Sequence, residues 1–117
     1  MLIVGADSLL PTAWVNKIGT RALAARARDR GVAVACAADT SKFLPPALAA
    51  LPRSYERDPA EIASDPPPSL VVVNPYFEEI GWDALDLLVT ERGPTRPRDL
   101  RSGEIAVARA LRDAGGD

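Results

Sequence analysis

Leu2-Ile-Val-Gly-Ala-Asp7 decides the fold of this chain. An apolar, mostly β-branched run that ends on glycine reads as a buried strand, with its carboxyl end at residue 5 or 6. Outward from it, residues 8–17 hold Pro11 and Thr12 and read as a loop, made unusually apolar by Leu9-Leu10 and Trp14-Val15. A helix is expected over 16–30, with Ile18, Ala22 and Ala25 on its apolar face and Gly31 as its stop. Val32-Ala-Val-Ala-Cys-Ala37 is apolar on both faces, the pattern of a second strand in a covered parallel sheet.

Residues 38–69 are broken by Pro45-Pro46, Pro52, Pro59 and Pro66-Pro67-Pro68, which leaves room for short helical turns at 47–51 and 59–63. Asp58 before Pro59 is an N-cap and N1 pair. Leu70-Val-Val-Val-Asn74 reads as a third strand stopped by Pro75. A short helix at 82–86, a fourth strand at 87–90, a break at Gly93-Pro94 and a C-terminal helix at 100–114 complete the chain. The order predicts an α/β domain with a mainly parallel sheet. Its strands are apolar on both sides while its helices cover one, so the chain looks like half of a doubly wound domain.

Length and composition agree: 117 residues with 47% hydrophobic and 26% charged content suit one domain with a core. There is no histidine, which removes imidazole bases, Ser-His-Asp triads and His-containing metal sites from within the chain. A single cysteine, Cys36, removes an internal disulfide, a CxxC redox pair and a four-cysteine zinc site. Inside a strand, Cys36 reads as a small hydrophobe. No cofactor or metal is expected. The net charge of -2 gives no footprint for nucleic acid or a membrane surface, and no apolar run approaches the ~18 residues of a spanning helix. Met1-Leu-Ile-Val lacks a basic n-region, so the chain reads as cytoplasmic.

The basic set holds twelve arginines against two lysines, Lys17 and Lys42. In open α/β sheets ligands gather beyond the carboxyl ends of the strands. Asp7 follows strand one, Asn16-Lys17 opens the first helix, and Lys42 lies in the loop after strand two. The amino end of a helix offers unpaired amides, so these residues could cradle a phosphate, with Lys42 as a second cation. Taken singly, Asp7 reads as a loop cap, Asn16 as an N-cap, and the lysines as leftovers of an arginine-rich composition; their agreement on one sheet edge points to a site. Glu78-Glu79 reads as a solvated turn, and Trp14 and Trp82 as core or interface residues.

Gly5-Ala-Asp7, Asn16-Lys-Ile-Gly-Thr20, Ala37-Ala-Asp-Thr-Ser-Lys-Phe43, Glu56-Arg-Asp-Pro59, Asn74-Pro-Tyr-Phe-Glu78 and Val89-Thr-Glu-Arg-Gly93 occur in this order. The set resembles the carboxyl-terminal domain of the family that unites the alpha, beta and delta subunits of translation initiation factor 2B with ribose-1,5-bisphosphate and methylthioribose-1-phosphate isomerases, and is most similar to its archaeal ribose-1,5-bisphosphate isomerase and factor-2B-like branch. The resemblance implies one Rossmann-like domain over 1–117, with the C-terminal helix in about 94–117 beyond the matching motifs. It implies that Asp7 is the catalytic proton donor of an aldose-to-ketose isomerisation. Asn16, Lys17 and Lys42 then bind the substrate, largely through phosphate, as lysine suits phosphate as a mobile point charge.

The family's isomerases also use a cysteine from an earlier strand and an arginine-glycine segment, both upstream of anything present in this sequence. The domain is therefore expected to hold half of a sugar-phosphate pocket, incomplete alone, as the second half of a larger unit. The alternative is a non-catalytic module for sugar-phosphate or nucleotide sensing or for protein assembly. A homodimer, or a partner chain supplying the missing half, is expected in either case.

Overall fold

A computed structural model describes residues 1–100; all but the first residue of the helix expected over 100–114 lies outside the described residues. The described elements are β1 (Leu2–Val4), β2 (Ser8–Leu9), β3 (Ala13–Lys17), α1 (Thr20–Asp29), β4 (Val34–Ala37), α2 (Pro46–Ala49), β5 (Phe77–Gly81), β6 (Leu87–Thr90) and β7 (Gly93–Thr95). Single 3-10 turns stand at Thr40–Lys42, Pro59–Glu61, Trp82–Ala84 and Pro97–Leu100.

The strands form two sheets. One runs β1-β4-β6-β7, with β1, β4 and β6 parallel and β7 antiparallel at its edge. This is the mixed α/β, mainly parallel architecture that the first strand and the apolar runs at residues 32–37 and 87–90 demanded. The expected break at Gly93-Pro94 is instead the start of β7, where Gly93 takes φ +103°, open to glycine at little cost. The second sheet, β2-β3-β5, is antiparallel. The apolar residues 8–17, expected as a loop, are thus two strands of a hairpin, because Leu9, Trp14 and Val15 bury completely against β5 and the core.

The Leu70-Val-Val-Val-Asn74 strand does not form. Leu70, Val71 and Val73 are exposed, Val71 by 83%, and the chain joins its neighbours through an isolated bridge between Glu56 and Pro75. Pro66-Pro67-Pro68 before the run and Pro75 after it favour extended chain but cannot donate to a ladder, and the place beside β4 belongs to β6.

Helix α1 begins at Thr20, not at 16, and its buried positions are Thr20 and Ala24, with Ala27 packed on the core, in place of the expected Ile18, Ala22 and Ala25. It ends as expected. Gly31 adopts φ +68°, its amide bonds Arg28 O at 2.9 Å, and Val32 N bonds Ala27 O at 2.9 Å, a Schellman motif.

The helix packs on β1, β4 and β5. Leu2, Val4, Val34, Cys36 and Leu88 meet it through a core shared with Leu9, Trp14, Ile80, Trp82 and Leu85. Two indoles tie the antiparallel unit together: Trp14 Nε1 donates to Gly81 O across β3 and β5, and Trp82 Nε1 to Leu10 O in the hairpin turn, both at 3.3 Å. On the opposite face of the parallel sheet Ile3 is 65% exposed and Val89 36%, with only the small Ala35 between them buried, so among the described residues that face is covered less than the one under α1.

Candidate functional site

The carboxyl ends of β1, β4 and β6 open onto a cleft of about 430 Å³ whose walls include Gly5, Ala38, Asp39, Lys42, Thr90 and Glu91. Parallel strands point their carboxyl ends the same way, so the loops that follow them meet at this edge. Lys42 reaches the cleft from the 3-10 turn Thr40–Lys42. That turn is capped by Asp39, whose Oδ1 accepts Ser41 N at 2.9 Å and also the Ser41 hydroxyl. The hydroxyl and amide of Ser41, with Lys42 nearby, hold the Asp39 carboxyl below its ordinary range.

Asp7 follows the cleft wall at Ala6 and is exposed. Its amide donates to Val15 O at 2.7 Å, which ties the end of β1 to β3 one residue before Asn16. Asp7 thereby stands between the cleft that holds Lys42 and the strand end that holds Asn16 and Lys17. Those two residues belong to β3 and do not line the cleft. Asn16 Nδ2 donates to Thr20 Oγ1 at 3.1 Å, and the Thr20 hydroxyl donates to Lys17 O at 2.7 Å, so the asparagine shapes the turn into α1. Lys17 pairs with Phe77 across the sheet, and its Nζ lies 4.5 Å from the Tyr76 ring centroid and 5.5 Å from that of Phe77. The aromatic faces hold this ammonium by cation–π attraction.

The amino end of α1 is not an open anion cradle. Gly19, in left-handed conformation at φ 97°, takes the cap position expected of Asn16, and Glu78 supplies the anion: its Oε1 accepts Gly19 N at 3.1 Å and Arg21 N at 2.8 Å. Glu78 and Glu79 are therefore strand residues of β5 with structural partners, not the solvated turn expected from the sequence. Tyr55 donates to Glu79 Oε1 at 3.0 Å; burial, the Glu79 bond and the Glu79 charge, with a smaller contribution from Asp7, push its hydroxyl up to about 12. Tyr55 is thus a neighbour of Asp7 that no local sequence pattern announces, since 47 intervening residues of chain separate them.

Cys36 offers no thiol to the cleft. It is fully buried in β4, and burial pushes it up to about 11. Glu91 carries no assigned role in the sequence motif that contains it, yet its place just past β6 puts it at the carboxyl edge.

The Initiation factor 2 subunit family matches residues 1–97. The chain belongs to this family. Within it, ribose 1,5-bisphosphate isomerase of Pyrococcus furiosus is 34% identical over 103 residues, covering 82% of the chain and 32% of the relative. The ribose 1,5-bisphosphate isomerase of Archaeoglobus fulgidus is 37% identical over 100 residues, with the same coverage of 82% and 32%. The chain therefore spans about 32% of the length of these relatives. Among solved structures, 5-methylthioribose 1-phosphate isomerase from Pyrococcus horikoshii OT3 superposes with a TM-score of 0.70 at 29% identity, over 92% of the chain and 32% of that protein. The translation initiation factor eIF-2B subunit delta from A. fulgidus gives 0.69 at 27% identity, over 94% and 33%. The Initiation factor 2 subunit fold is thus shared by sugar-phosphate isomerases and by translation-factor subunits, and this chain has the mainly parallel Rossmann-like sheet of both. Among the described residues no helix is long and apolar enough to cross a membrane.

Proposed function

We propose that this chain corresponds to the carboxyl-terminal domain of the family and carries half of a sugar-phosphate site for aldose–ketose isomerisation of the ribose 1,5-bisphosphate type. The observation that supports this most is the position of Asp7. Its amide donates to Val15 O, one residue before Asn16, while its neighbour Ala6 lines the Lys42 cleft. A bisphosphate needs two cationic ends and a proton donor between them, and this order of residues supplies that pattern. Lys42 takes one phosphate, Lys17 with Asn16 the other, and Asp7 donates the proton that ring opening consumes.

Asp7 is exposed in this chain, and a carboxyl that must carry a proton near neutral pH needs a drier setting. Residues outside this chain complete the pocket, covering Asp7 and contributing the base and further phosphate-binding cations. The protein works in the cytoplasm as a dimer or with a partner chain. A second reading, a binding or assembly module without catalysis, is supported by the similarity to the eIF-2B subunit delta of A. fulgidus.

Calorimetric titration with ribose 1,5-bisphosphate tests the site. The wild-type chain is expected to bind, and Lys17→Ala and Lys42→Ala each to bind about tenfold or more weakly. No binding by the wild-type chain, or equal binding by both variants, defeats the proposal. Turnover in the completed protein separates the two readings: Asp7→Asn abolishes it if the site is catalytic. A monodisperse monomer by light scattering counts against the dimer.

A further inference from the structure

We infer that Glu91 is a positioning residue for Lys42, fastening the turn that carries this lysine to the end of β6. The inference rests on the sugar-phosphate reading of the cleft. Lys42 sits on a 3-10 turn of three residues, Thr40–Lys42. So short a turn has too few internal hydrogen bonds to hold its own shape. Asp39 caps it from within through Ser41, and contacts from outside add the rest. Glu91 Oε2 accepts the Thr40 amide at 2.9 Å, and Glu91 Oε1 accepts the Thr40 hydroxyl. Both bonds run to a carboxylate across 51 residues of sequence, and such charge-assisted bonds are stronger than neutral ones. On its other side the segment is held by Leu44 N on Leu9 O at 2.9 Å, next to a bridge between Leu9 and Phe43. The turn is thus pinned at Thr40 to β6 and at Leu44 to β2, with Lys42 between the two pins.

This arrangement matters for an anion because a lysine on a wandering loop must be immobilised when it binds, and that ordering subtracts from affinity. It also answers an electrostatic difficulty. Asp39 and Glu91 put two carboxylates on the same cleft wall as Lys42, where bare negative charge would repel a phosphate. Hydrogen bonds offset part of that charge: Ser41 donates its amide and hydroxyl to Asp39, and Thr40 its amide and hydroxyl to Glu91. The Thr40 hydroxyl bond is also the largest cause holding the Glu91 carboxyl below its ordinary range, so it stays an acceptor through neutral pH.

The test titrates ribose 1,5-bisphosphate into the chain and its Glu91→Ala, Glu91→Gln, Thr40→Val and Lys42→Ala variants, and into the Glu91→Ala/Lys42→Ala double variant. Amide hydrogen exchange at Thr40 is followed in the ligand-free proteins. Glu91→Ala is expected to speed Thr40 exchange and weaken binding, each about tenfold. Glu91→Gln, which keeps an acceptor for the amide, recovers part of both, and Thr40→Val, which deletes the hydroxyl from the other side, weakens binding in the same direction. The double variant binds no more weakly than Lys42→Ala, because Glu91 acts through that lysine. Additive losses, or tighter binding by Glu91→Ala, overturn the inference while leaving the cleft intact. Thr40 exchange indifferent to Glu91 overturns it without any ligand. A wild-type chain that binds no sugar bisphosphate, although Thr40 exchange depends on Glu91, instead removes the sugar-phosphate reading and with it the role given to the anchor.

Discussion

Glu78 Oε1 accepts the backbone amide of Arg21 at 2.8 Å, so a side chain of the antiparallel sheet closes the amino end of the helix that packs on the parallel one. The same oxygen takes the Gly19 amide, and no side chain within the helix's own cap does this work. The contact therefore stabilises both the helix end and the junction of the two sheets.

Removing that carboxylate is expected to destabilise the fold. Glu78→Ala should cost about 1–2 kcal/mol, the usual range for a lost cap, since two amides lose their acceptor. Glu78→Gln keeps an acceptor oxygen and should lose less. Thermal melting followed by circular dichroism checks both, and an alanine variant that melts with the wild type would refute the capping role.

At the other end of α1, Gly31→Ala should cost about 1–2 kcal/mol because φ +68° strains any Cβ, while the space around it is empty. Gly31→Asn, better suited to that region, should cost less. The urea midpoint is the measurement, and an alanine variant equal to the wild type would remove strain as the reason for glycine.

The Cys36 thiol lies at about 11 in the folded chain against 9.0 for an exposed thiol. Between these values the folded state keeps a proton that the unfolded state has released, so stability falls as pH rises from 9 to 11. The loss attributable to this group approaches about 3 kcal/mol above pH 11 and is absent below pH 9. Chemical denaturation of the wild type and Cys36→Ala across this window isolates it, since the raised tyrosines Tyr55 and Tyr76 are common to both. Parallel pH profiles would show that the thiol titrates normally.

Trp82→Phe removes the indole bond to Leu10 O in the core and should cost about 1–3 kcal/mol. Trp14→Phe removes the bond to Gly81 O, at about 1 kcal/mol or more, from a site with no exposure at all. Urea unfolding of the two variants tests this. A loss for neither would mean that the indoles contribute only bulk.

Much of the parallel sheet was legible because its signals are local. Leu2-Ile-Val4, Val34–Ala37 and Leu87–Thr90 are apolar runs too short for helices, and Gly31 marks a helix end through a conformation other residues avoid. The same rule failed at Leu70-Val-Val-Val73, which carries the composition of a strand and lies exposed. A run of valines cannot state whether a neighbouring strand will be there to receive it. Residues 8–17 failed the other way: Pro11 suggested a loop, but it sits in the hairpin turn, and the strands on either side of it needed β5, more than sixty residues later, to bury Trp14.

The site divides along the same line. The sequence by itself determined that this chain contributes no imidazole, internal disulfide or cysteine cluster, and it put Asp7 and Lys42 beyond strand ends, because composition and the order of apolar runs are properties of the chain alone. Only the tertiary structure decided which of these groups meet. It brought Lys42 and Glu91 to one cleft, set Lys17 against Tyr76 on another sheet, and filled the helix end with Glu78. Each of those outcomes is a contact between residues some fifty or more positions apart, and such a contact is selected by which apolar faces can be buried together, a global condition that no short stretch of sequence contains.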